Sequence, residues 1–122
     1  MKLHEGKAFA KLVFKFQVAF NGLIEGIVHD FSIRIQFGFA IVAIIIAFLF
    51  NFTYIEWSIW LLCIAIVISL EFLNSSMEQM MDRLDPSYHV LTKKAKDLGA
   101  AAVLVSAIVS LIIGLIFVIN HL

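Results

Sequence analysis

Four polar side chains, Glu71, Asn74, Glu78 and Asp82, follow one another at i, i+3, i+7 and i+11 where a long apolar run gives way to polar sequence. At 100° per residue they share one arc of about 80° on a helix. Ionisable groups are disfavoured in a membrane-spanning segment, and those that persist mark function. Glu71 falls about one turn inside the interface, where a carboxylate could serve as general base toward an alcohol at headgroup depth. Glu78 and Asp82 could hold a divalent cation, because magnesium takes one or two carboxylates and fills its shell with substrate phosphates and water. Asn74, between the acids, could orient a phosphate or the metal. Each also has a bland reading: Glu71 paired with a lysine for assembly, and the other two acids as a solvated helix end.

Past a turn centred on Asp85 and Pro86 come Lys93, Lys94, Lys96 and Asp97, at the mouth of another apolar run. Acids and lysines therefore meet at one membrane surface. An aspartate at the start of the third spanning helix suits the positive end of the helix dipole, which accounts for Asp97 structurally. A lysine does not suit that end, so Lys96, and more weakly Lys94, is expected to face a phosphate. Asp30 lies on the same membrane side and could add a carboxylate to the metal site. His89 and Tyr88 could be merely interfacial, with His89 kept as a supporting residue. His4, His29 and His121 receive no role.

The elements that must position these groups are membrane helices. The chain has 122 residues, 62% of them hydrophobic, and a mean hydropathy of +1.02, too apolar for a soluble domain of this size. We expect a single membrane domain over 1–122, with a surface helix over 1–30 and spans over 35–53, 55–81 and 95–119, the second carrying a cytoplasmic extension. In the N-terminal segment Lys7, Lys11 and Lys15 lie on one side of a helix and Phe9, Val13, Phe16 and Phe20 on the other. Such a helix lies in the membrane interface or packs as an ordinary amphipathic helix on the bundle. Tyr54, Trp57 and Trp60 suit interfacial anchors. In the third span Ala95, Gly99, Ala102, Ser106, Ser110 and Gly114 form a small-residue stripe for close helix packing.

All nine Lys and Arg fall within the first 34 residues or the segment 83–96. The positive-inside rule then places the N-terminus and the loop over 82–96 in the cytoplasm. The zero net charge gives no basis for a nucleic-acid partner, and none is expected. Cys63 as the single cysteine excludes an intramolecular disulfide and a cysteine metal cluster. The opening MKLHEGKAFAKLVFKF lacks the compact apolar core of a cleavable signal peptide. No Walker-type loop, dinucleotide fingerprint, HExxH or GxSxG is present, so nucleotide chemistry would need another kind of site.

Glu71-x-x-Asn74-Ser75-x-x-Glu78-x-x-x-Asp82, then Tyr88-His89-x-Leu91, then Ala95-Lys96-Asp97-x-x-x-Ala101-Ala102-Val103 resembles the bacterial diacylglycerol kinase family, which includes undecaprenol kinases. The resemblance implies an all-α integral membrane homotrimer of three-span subunits with an N-terminal surface helix, in the bacterial cytoplasmic membrane. It implies active sites shared between subunits and MgATP-dependent phosphorylation of a lipid hydroxyl. By residue it implies Glu71 as catalytic base, Asn74, Glu78, Lys96 and Asp97 as nucleotide contacts, and Glu78 with Asp30 as magnesium ligands. Lys11 stands where a basic adenine-side contact is expected, and Asp82, His89 and Lys94 would support. The chain departs from the pattern at Asp30, where family members usually carry Glu. It departs again at Phe31, Ser32 and Gln36, where Gram-positive members commonly carry Arg, Asn and His, and Arg34 alone matches there. The expected substrate is undecaprenol, slightly ahead of diacylglycerol. The reading from another class is a non-catalytic assembly or regulatory protein whose polar seam serves oligomerisation. A packing seam needs one or two polar groups, however, not four on one arc beside a lysine pair.

Overall fold

The computed structural model describes residues 2–84 and 90–122, with side chains from Glu5 onward. The described residues form α1 (Lys2–His29), α2 (Phe31–Leu49), α3 (Tyr54–Leu84) and α4 (Val90–Asn120). The last three are long and apolar enough to cross a membrane. The expected turn at Asp85 and Pro86, together with Tyr88 and His89, lies outside the described residues.

The α1–α2 junction is a single residue. Asp30 is extended, with φ −114° and ψ 113°, and its Oδ1 accepts from the Ile33 amide at 3.1 Å. That is an N-cap, and it starts α2 four residues ahead of the apolar run. Arg34 Nη1 donates to the Val28 carbonyl at 3.0 Å, placing a cation at the carbonyl-rich end of α1. A Cβ at Gly26 would collide with the Phe72 ring and come within 2.9 Å of Ile33 Cδ1. Glycine there lets α1 close onto α2 and α3.

The turn from α2 to α3 is set by backbone chemistry. Asn51 has φ 54°, a left-handed conformation that asparagine tolerates better than most residues. The Phe52 amide donates to Ala47 O at 3.1 Å and the Asn51 amide to Phe48 O at 3.3 Å, which together make a Schellman motif. Thr53 and Glu56 then cap α3 reciprocally: the Thr53 amide donates to Glu56 Oε1 at 2.8 Å, and the Glu56 amide to Thr53 Oγ1 at 3.2 Å. His121 lies 2.6 Å from the same Glu56 oxygen and stacks on Phe52 at 6.0 Å.

α3 is the central helix and packs on both α2 and α4. Trp60 Nε1 donates to Ala43 O in α2 at 2.8 Å. On its other side, a Cβ at Gly114 would sit 2.6 Å from the Trp60 ring. Trp60 therefore bridges both neighbours and is buried with Ala47, Phe52 and Cys63. This makes Trp60 a core residue, where the sequence suggested an interfacial anchor.

One expectation is overturned at α4. The helix begins at Val90, so Lys96 and Asp97 lie about two turns inside it and the dipole account of Asp97 does not apply. The segment Leu91–Asp97 is polar but contains good helix formers and no breaker, so the helix extends beyond its apolar stretch.

Candidate active site

α3 carries Glu71 about 26 Å along its axis from Tyr54, at 1.5 Å per residue. Both Glu71 and Asn74 are only 7% exposed, and Ser75 beside them is 6% exposed. Glu78 and Asp82, one and two turns further on, are exposed. The polar face thus runs from the protein interior outward, as its spacing predicts.

Glu71 is met from a second helix. The Gln36 side chain lies beside its carboxylate, and Asp30 and Glu78 are the acids close enough to act on its charge. Asp30 thereby joins the constellation across the α1–α2 junction, with one carboxylate oxygen engaged in capping. Asp30, from the α1–α2 junction, thus converges with Glu71 and Glu78 of α3 on one region.

Asn74 faces α4. A Cβ at Gly99 would lie 2.5 Å from Asn74 Oδ1, so glycine makes the space that the amide occupies. That oxygen is buried and has no hydrogen-bond partner among the described residues. A buried acceptor without a partner is costly, and where one persists it calls for an explanation such as an ion, a water or a catalytic role.

The α4 groups are both in ion pairs. Lys96 Nζ pairs with Asp82 Oδ1 across the helix ends, and Lys93 Nζ lies 2.5 Å from Asp97 Oδ2. Lys94 is exposed. Among the described residues no group of three or more His, Cys, Asp or Glu is arranged to hold a metal by itself. Lys11 stands apart. It is exposed on α1, and nineteen residues of helical rise put it about 28 Å from Asp30. One chain does not bring the two together. The supporting residue His89 is outside the described residues.

Gln36 and Gly99 escaped the sequence reading. Gln36 stands one residue from a helical position facing Asp30, but only the crossing of α2 over α3 shows which carboxylate it meets. Gly99 read as one member of a packing stripe, and its special task depends on the partner it faces.

A groove of about 370 Å³ runs beside these groups, lined by Gln36, Ala40, Ala43, Trp60, Val67 and Ser110 among others. It is largely apolar, and Gln36 places a hydrogen-bonding group of the Glu71 cluster in its wall.

Residues 17–118 match the model of the prokaryotic diacylglycerol kinase family. The chain is 43% identical over 77 residues to the undecaprenol kinase of Bacillus subtilis (strain 168), a match covering 63% of each chain. It therefore spans a little under two thirds of that relative. It is 28% identical over 113 residues to the diacylglycerol kinase of Escherichia coli (strain K12), covering 93% of each. It is 33% identical over 104 residues to the diacylglycerol kinase of Synechocystis sp., covering 84% of this chain and 59% of that one. The matched residues take in Asp30, the α3 face and the α4 lysines, leaving only Lys11 outside, and the chain belongs to the prokaryotic diacylglycerol kinase family, a family of membrane lipid kinases.

Proposed function

We propose that the chain transfers the γ-phosphate of MgATP to the hydroxyl of a membrane lipid alcohol at the cytoplasmic face of a bacterial plasma membrane. The observation that carries this reading is the buried Glu71 carboxylate, neighboured by Gln36, Asp30 and Glu78. It sits on a face of α3 that continues outward to Asp82, where Lys96 of α4 meets it.

Glu71 accepts the proton of the lipid hydroxyl. The oxygen so freed bonds to the γ-phosphorus, and the bond to the bridging oxygen breaks to give a lipid phosphate and ADP. Lys96 offsets charge on the transferred group, and Asn74 and Asp97 orient the nucleotide. Phosphoryl transfer depends chiefly on positioning and electrostatics, so a compact set of carboxylates, an amide and a lysine suffices.

Asp30 and Glu78 fit a magnesium ion by their donor chemistry: hard carboxylate oxygens, one from the α1–α2 junction and one from α3, both near Glu71. Asp30 has a second oxygen beyond its capping bond. The ion, once bound, would offset phosphate charge, with the nucleotide and water completing its shell. The apolar groove would admit a lipid chain sideways from the bilayer, bringing its hydroxyl to the Gln36 end. Lys11, too distant within one chain, would serve the site of a neighbouring subunit in a homotrimer.

The higher identity to a relative named undecaprenol kinase supports undecaprenol as substrate. Diacylglycerol stands next, because the match to diacylglycerol kinase covers more of the chain. The test is transfer of labelled γ-phosphate from MgATP to each lipid in separate detergent micelles, with Glu71→Gln in parallel. Transfer to one lipid, reduced by about 10²-fold or more in the variant, is expected for loss of a general base. Transfer to neither by the wild-type chain overturns the proposal.

A further inference from the structure

The lysine assigned to the phosphates has an anionic partner within its own chain. Lys96 reaches from α4 to Asp82 on α3. The pair joins two helices through residues fourteen apart in sequence. It is not a buried structural bridge: the Asp82 side chain is 66% exposed and that of Lys96 34%. Ion pairs in such contact with water contribute little to stability and exchange partners readily.

We propose that Asp82 is a placeholder counter-ion: it keeps Lys96 in the site while the site is empty and yields it only to a nucleotide whose charge a divalent cation has offset. This rests on the reading of the site given above.

The argument is one of charge. When a phosphate takes Lys96, Asp82 loses its counter-ion. It then faces the incoming polyphosphate together with Glu78, which is four residues back on the same helical face. Like charges at that spacing repel. Free ATP, a tetra-anion, adds to this repulsion, while the magnesium complex carries half the charge and lessens it. Asp82 would thus discriminate against metal-free nucleotide before any chemistry begins. It acts through Lys96 and is a positioning residue.

The test is equilibrium binding of a non-transferable ATP analogue with a methylene bridge between the β and γ phosphorus atoms. Titration calorimetry on the full chain in detergent would be run once with magnesium and once with chelator. Wild type is expected to bind the magnesium form about tenfold or more tightly than the free form. In Asp82→Asn, which keeps side-chain size and removes the charge, that ratio should narrow by about threefold or more through tightening of the metal-free arm, while Asp30 and Glu78 keep the remaining preference for the magnesium form. Asp82→Glu should restore the ratio. Three results overturn the placeholder while nucleotide is still bound. The ratio may be unchanged; it may narrow through loss of the magnesium arm, making Asp82 a metal ligand; or both arms may weaken alongside a lower melting temperature, making the pair a strut. Wild type that binds neither form overturns the reading of the whole site instead.

Discussion

Asp30 holds two positions at once. Its Oδ1 caps α2 through the Ile33 amide, while its charge reaches Glu71. The two tasks separate chemically, because asparagine caps a helix about as well as aspartate but carries no charge. Asp30→Asn is therefore expected to leave the melting temperature unchanged and to lower phosphoryl transfer by about tenfold or more. The apparent magnesium requirement should rise, as for loss of one carboxylate ligand. Unaltered activity and magnesium dependence would reduce Asp30 to a cap. The α3 face was legible in the sequence because helical periodicity is local: the spacing of Glu71, Asn74, Glu78 and Asp82 alone places them together. The engagement of Gln36 with Glu71, and of Gly99 with Asn74, was not legible, because each depends on how two helices cross.

Among the elements, α3 is fixed at the Thr53 end by capping and packing that the sequence announces only in part. Thr53-x-x-Glu56 is a capping-box pattern readable from the chain. By contrast, the Trp60 bond to Ala43 O requires the α2–α3 interface to exist first. Trp60→Phe keeps most of the ring and removes that interhelical bond. The expected loss is about 0.6–1.7 kcal/mol, the scale found for such bonds in membrane proteins. Unfolding in mixed micelles with increasing denaturing detergent measures it, and lipid kinase activity should persist in the folded fraction. The early start of α4 was hidden for a different reason. Hydropathy reports where a helix enters the bilayer, whereas the polar turns ahead of Leu98 are governed by helix propensity.

At the scale of the whole molecule, the positions of Lys11 and Asp30 separate two arrangements that the proposed homotrimer could use. Asp30 and Glu71 act on one another within a single chain, while Lys11 lies about 28 Å from Asp30 along α1. Co-assembling Asp30→Asn chains with Glu71→Gln chains should restore no activity, since every site lacks one of the two groups. Co-assembling Lys11→Ala with Glu71→Gln should restore a measurable fraction, because some sites then draw an intact Lys11 from one chain and an intact Glu71 from another. Activity assays on mixtures reconstituted from denaturant, normalised to the unmixed variants, would show the difference. Restoration in the first mixture would place Asp30 and Glu71 in different chains' sites.

The crowding of rings about Phe52, where Trp57, Trp60, Phe117 and His121 all make contact, gives the bundle a rivet at one end. At the other end Asp82 and Lys96 meet through a water-exposed pair. The assembly is built like a pair of tongs. Eighteen residues separate Trp60 from Glu78, about 27 Å of helix, so a pivot of about 5° at the rivet opens the jaws by about 2 Å. A small angular change that leaves the aromatic joint intact would then be enough to part Asp82 from Lys96.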